Sequence, residues 1–194
     1  MEKWDLLLTG VGGQGNILAS DILGDVALAA GYDVKKTDTL GMAQRGGSVV
    51  SHLRIAKKVF SPLIKEGEVD ILLGFEKLET VRWASYLAPG AVAIINNFAI
   101  PPLSVNQGIE HYPSDDEVKS IIKQRTDKIY LVNGTQKATE LGNARTLNIF
   151  MLGCLANFLP FETKDWQTAI AQHLPERLLK LNMSAFALGR KEIR

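Results

Sequence analysis

Asp5-Leu6-Leu7-Leu8-Thr9-Gly10-Val11-Gly12-Gly13-Gln14-Gly15 decides the fold. Leu6-Leu7-Leu8 is continuously apolar rather than alternating, the pattern of a strand covered on both faces. Gly10–Gly15 satisfies G-x-G-x-x-G, a sharp turn out of that strand. A helix should follow from about Gln14 to Ala30. Leu18, Ile22, Val26 and Ala29 fall on one stripe, and Asp21 and Asp25 fall off it. Gly31 is a natural stop. Strand, glycine turn and helix make a Rossmann-like start to an α/β chain.

Working outward, short strands alternate with helical segments. Val34–Thr37 reads as a second strand. Ser48–Ile55 is β-rich within a Gly46–Phe60 hairpin or extended excursion, which implies a mixed sheet. Asp70–Phe75 and Ala91–Asn96 are further buried strands, with a helix at Leu78–Leu87 and a Pro89-Gly90 turn between them. The chain is loop-like from Asn97 to Gly108. A helix capped by Ser114 should cover Asp115–Arg125, followed by a strand at Lys128–Val132. Leu147–Leu159 is apolar almost all round, so it lies inside the fold or in a subunit interface, and Pro160 ends it. Helices at Lys164–His173 and Ser184–Lys191 complete a helical C-terminal region. The expected architecture is one domain over residues 1–194, a three-layer α/β/α sandwich with a mostly parallel, mixed sheet.

Composition narrows the function. The 194 residues carry 22 basic and 21 acidic side chains, and a net charge of +1 offers nothing to nucleic acid or an anionic membrane. No uncharged apolar run reaches the ~20 residues of a membrane span, and Met1–Asp5 does not resemble a secretion signal, so a cytoplasmic protein is expected. The single cysteine, Cys154, rules out an internal disulfide and a four-thiolate cluster supplied by this chain alone. His52, His111 and His173 show no metal-like spacing. No G-x-S-x-G elbow and no Walker lysine is present. Nothing marks a nucleophile, an acid–base pair or a metal set.

Three loops carry the polar chemistry. In the first, Gly12, Gly13, Gln14 and Gly15 bring backbone N–H groups and a helix N-terminus toward an anion, or else they only make a tight strand-to-helix crossing. Asp38 stands roughly where a dinucleotide site wants a ribose-binding carboxylate, with Lys35 and Lys36 close by. The second loop follows the second strand and should gather beside the first on the carboxyl edge. Its Arg45, flanked by Gln44, Gly46 and Gly47, suits an anion grip or an interface ion pair. The third runs from Glu140 to Thr146. Asn143 or Thr146 can cap the apolar helix, while Arg145 and Asn148 can face a ligand or a partner.

Gly10–Gly15, Gly41-Met42-Ala43-Gln44-Arg45-Gly46-Gly47-Ser48-Val49 and Gly142-Asn143-Ala144-Arg145 together resemble the gamma-type domain of 2-oxoacid:ferredoxin oxidoreductases. Ser61–Ile64, Gly67–Asp70 and Leu181–Gly189 are similar to the beta subunit of the indolepyruvate branch. The resemblance spans Asp5 to Gly189. It implies CoA-dependent oxidative decarboxylation of an aryl pyruvate, with ferredoxin as acceptor. Thiamine diphosphate and the 4Fe-4S clusters would sit mainly on a larger partner subunit, and none on this chain alone. It also implies that Gly12, Gly13, Gln14, Gly15, Gln44, Arg45, Gly46 and Gly47, with Asn143 and Arg145, contact a pyrophosphate-bearing ligand or that partner.

Three alternatives stand beside this reading. One is the gamma subunit of a pyruvate- or 2-oxoglutarate-type enzyme. Another is a free-standing nucleotide- or coenzyme-binding protein. The third is a homo-oligomeric scaffold, a homodimer when isolated, with Leu147–Leu159 as its interface.

Overall fold

The computed structural model describes residues 2–40 and 46–193. Its six strands are β1 (Lys3–Val11), β2 (Asp33–Leu40), β3 (Ser48–Ala56), β4 (Val69–Gly74), β5 (Leu87–Asn96) and β6 (Lys128–Val132). They form one sheet in the order β2-β3-β1-β4-β5-β6. β1 runs parallel to β4, β4 to β5 and β5 to β6. β3 runs against both β1 and β2, so it alone among the described strands is reversed. The sheet is therefore mixed but mostly parallel.

The apolar run of β1 is continuous because both its faces are covered. Leu6 and Leu8 join Ile71, Leu73 and Ile94 on one side. That side packs under α1 (Asn16–Ala29), α6 (Leu147–Leu155), α7 (Thr163–His173) and α8 (Glu176–Glu192). Leu7 joins Leu72, Ala93 and Ile95 on the other side, under Val118 and Ile122 of α4 (Asp115–Lys123). α2 (Lys77–Arg82), α3 (Leu103–Asn106) and α5 (Gly134–Glu140) are short connecting helices. Ser114 caps α4 in a full capping box with Glu117.

Several boundaries differ from the sequence reading, each for a physical reason. The residues around Gly46–Phe60 do not fold back on themselves. The hairpin partner of β3 is the preceding strand, in register from Asp33↔Ala56 to Leu40↔Val49. The helix read at Leu78–Leu87 stops at Arg82. Beyond it Trp83 and Tyr86 stack around His52, with centroids 5.8 and 6.1 Å from the imidazole, and Leu87 is drawn into β5. Pro89-Gly90 is an irregularity inside β5 rather than a turn before it, because proline gives the ladder no donor. α5 exposes most of its polar sequence and buries only Gly134 and Ala138, so no apolar stripe announces it. α8 begins at Glu176 rather than Ser184.

α6 is buried along its whole length. The reading of Leu147–Leu159 as an oligomer interface is thereby corrected, because α8 of the same chain covers this helix. The two backbones touch at glycines. A Cβ on Gly153 would lie 2.3 Å from the Phe186 carbonyl oxygen, and one on Gly189 2.0 Å from that of Phe150. At the opposite end of the sheet Asp5 is 1% exposed and accepts from Arg54 Nε and Nη2 at 2.8 and 3.1 Å. Lys3 Nζ adds a bond of 2.9 Å.

Gly153→Ala should cost about 3 kcal/mol, a Tm loss of roughly 9 °C for a chain this size, because the obstacle is backbone and cannot rotate away. Asp5→Ala should cost about 2 kcal/mol, between the values for exposed and buried pairs, since Arg54 keeps part of its hydration. Ser184→Ala, on the exposed side of α8, should stay within about 0.5 kcal/mol in the same thermal melts.

Candidate functional site

The carboxyl ends of β1, β4 and β5 are tied together through the backbone of one residue, Phe75. Its N–H donates to the Thr9 carbonyl at 2.8 Å. Its carbonyl accepts from Gln14 Nε2 and from Asn96 Nδ2, both at 2.9 Å. Gln14 Oε1 meanwhile accepts from the Val11 N–H at 2.8 Å. Asn96, fully buried, also donates to Thr135 Oγ1 and accepts from Thr135 N–H, which latches β5 to the start of α5. The Gln14 amide thus holds the glycine loop in shape with both of its polar atoms.

The two glycine turns meet. Gly12 N–H donates to the Gly47 carbonyl at 2.8 Å, and Gly46 N–H points at the Gly12 carbonyl at 3.5 Å. Gln44 and Arg45 lie outside the described residues. Gly13 has φ +106 and nothing within 4 Å of where a Cβ would sit. The N–H groups of Gly13, Gly15 and the first turn of α1 have no backbone acceptor among the described residues. Such an array faces an anion readily. Gly15 has a different task. Its φ is +83, and a Cβ there would lie 2.7 Å from Asn148 Nδ2. Only glycine lets Asn148 of α6 close against the loop.

Asn143 Oδ1 accepts from Arg145 N–H at 3.0 Å and caps the 3-10 turn Ala144–Thr146 that leads into α6. Arg145 is exposed beside it. Asp38 is not free to hold a ribose, because Lys36 Nζ lies 3.0 Å away and Ser51 Oγ donates to it at 2.5 Å. Burial opposes the charge of Lys36, yet its hydrogen bonds to Asp21 and Asp38 raise its pKa on balance. His52 accepts from Ile64 N–H at 3.3 Å, and burial lowers its pKa, as befits a packed imidazole.

Glu76 was not singled out from the sequence. It follows β4, is fully buried, and caps α2 by accepting from Glu79 N–H at 2.8 Å. Its other oxygen accepts from Ile100 N–H at 2.9 Å and from the Tyr112 hydroxyl. Burial first, and then this carboxylate, push the Tyr112 phenol up. The available signal was an acid three residues before Glu79 at the end of an apolar strand, the spacing of an N-cap. Leu18, Leu174 and Arg177 were missed as well. They line a cleft with Asn143, Arg145 and Asn148, and Arg177 fell outside the helix as read from the sequence.

The donor set fits some of the groups that the resemblance implies and not others. Cys154 is buried in α6, where burial raises its thiol pKa, and one thiolate cannot hold a cluster. Among the described residues no group of three or more His, Cys, Asp or Glu side chains could hold a metal ion. The open N–H groups of Gly13 and Gly15 do suit a phosphate oxygen. No described helix is long and apolar enough to cross a membrane.

Indolepyruvate oxidoreductase subunit IorB of Pyrococcus horikoshii is 36% identical over 194 residues, covering 98% of this chain and 96% of that one. The subunit of the same name from Thermococcus kodakarensis is 35% identical with the same coverage. A solved structure, the keto/oxoacid ferredoxin oxidoreductase gamma subunit from Geobacter sulfurreducens, superposes with a TM-score of 0.72 at 21% identity, covering 97% of each chain. That likeness speaks for the fold. Residues 5–192 match the pyruvate ferredoxin/flavodoxin oxidoreductase family, and the chain belongs to it.

Proposed function

We propose that this chain is the small subunit of a 2-oxoacid:ferredoxin oxidoreductase that acts on indolepyruvate and other aryl pyruvates. The observation that carries the reading is the end-to-end likeness to indolepyruvate oxidoreductase small subunits, at 36% identity with 96% of the relative covered. The interior of the described residues agrees with an accessory role. Gln14, Glu76 and Asn96 use their polar atoms to hold loops in place.

In the assembled enzyme the aryl pyruvate loses its carboxylate as carbon dioxide, the remaining acyl group passes to the coenzyme A thiol, and two electrons pass to ferredoxin. A larger cytoplasmic partner subunit would hold thiamine diphosphate, whose chemistry is that of an electron sink, and 4Fe-4S clusters, whose chemistry is electron transfer. This chain supplies a preset surface. Gly12 and Gly13 against Gly46 and Gly47 form the edge that faces an anionic group at the junction with that subunit. Gln14 holds the edge, and Gly15 joins it to α6.

The test is anaerobic reduction of a low-potential acceptor by indolepyruvate and coenzyme A, comparing the small chain, the large subunit and the pair. Turnover should require the pair. A loaded large subunit that turns over equally well alone contradicts the reading. Within the pair, Gly13→Ala adds mainly backbone strain of about 1 kcal/mol, whereas Gly13→Asp adds charge as well. Activity should fall about tenfold further in the aspartate variant if an anion is held there, and equally in both if it is not.

A further inference from the structure

Behind the glycine loop lies a cleft of about 400 Å³ between α1, the start of α6 and the start of α8. Arg145 and Arg177 stand at its mouth, Asn148 lies in its wall, and Leu18, Leu174 and Leu178 form an apolar side. From these features we propose that the cleft binds a small organic anion, its carboxylate or phosphate group held by Arg145, Arg177 and the Asn148 amide and its apolar body laid on the three leucines.

Three observations converge on that chemistry. The first is Asn148. It is 5% exposed, and its Oδ1 accepts from Ile149 N–H at 2.9 Å. Its Nδ2 lies against Gly15 and donates to nothing among the described residues. An amide donor in the cleft wall with no acceptor of its own is available to a ligand oxygen.

The second is where the two guanidinium groups stand. Arg177 is in the first turn of α8, and Arg145 is in the 3-10 turn that opens into α6. Cations are disfavoured at these positive helix ends. α8 has no side-chain cap, and Pro175 precedes it. Glu176 stands in the same turn as Arg177, but it is not in the cleft wall. Placing two cations at two positive helix ends costs free energy, and an anion between them offsets it.

The third is size and lining. A cleft of about 400 Å³ with one apolar wall and a few convergent polar groups is of the kind that holds small molecules. Asn143 fixes the direction of the Arg145 backbone through its 3.0 Å bond, so the site is partly preorganised.

The inference concerns this chain alone, so a reconstituted enzyme that fails to turn over leaves it standing. Isothermal titration of the full chain with phenylpyruvate, and separately with inorganic phosphate, is the direct test. Saturable binding of either, weakened about tenfold in both Arg177→Gln and Arg145→Gln and weakened by salt, supports the cleft. Tighter phenylpyruvate identifies a carboxylate ligand, and tighter phosphate identifies a phosphate ester. Arg177 is exposed, so its variant should melt within about 2 °C of the parent, which separates lost binding from lost folding. No saturable binding of either probe, or binding unchanged in both arginine variants, overturns the proposal.

Discussion

The backbone of Phe75 is the constraint on which the carboxyl edge depends. Three strands end there with loops that would otherwise each need its own support. One carbonyl accepts from Gln14 and from Asn96, while the adjoining N–H is held by Thr9. In a buried setting such shared hydrogen bonds reinforce one another, and loss of one donor leaves the others misplaced. The shape of the glycine loop is therefore fixed by side-chain amides of the protein itself before any ligand or partner arrives.

That economy accounts for the division of labour among the loop's residues. Gln14 is occupied inward. Gly15 is occupied by Asn148 and transmits the position of α6 to the turn. Gly12 is bound to the second loop through Gly47. Gly13 alone among these looks outward into open space. The contact between Gly15 and Asn148 also joins the loop to the cleft beneath α8, so the two surfaces share one wall. α8 in turn is seated on α6 through Gly153 and Gly189, where backbone meets backbone. Packing far from the edge thus sets the geometry at the edge.

Much of this was legible in the sequence because the signals were local. The leucine run of β1 implied a doubly covered strand, the glycines implied the turn, and Ser114 implied the capped start of α4. The β-rich stretch after Gly46 implied a mixed sheet. What escaped was non-local. α8 hid its first two turns because the one residue buried in them is Asn182, whereas Ala185, Phe186 and Gly189 lie in the part that was read. α2 was cut short by Trp83 and Tyr86 turning toward His52, a residue 31 and 34 positions before them. In the candidate site the sequence marked which residues were polar, but not which were already engaged. Gln14 and Asp38 read as ligand contacts, yet the structure gives both of them partners inside the chain. Arg177 became visible only when folding carried it next to Arg145.

The most direct test of this account is amide hydrogen exchange on Gln14→Leu, a change that keeps side-chain bulk and removes both of the loop's anchoring bonds. Exchange at Val11 and Gly12 should accelerate at least about tenfold, the equivalent of roughly one to two hydrogen bonds, while Leu6–Leu8 in the sheet centre keep their protection. Unchanged exchange in the loop, or equal loss of protection throughout the sheet, would contradict the claim that the Phe75 hub holds the site in place.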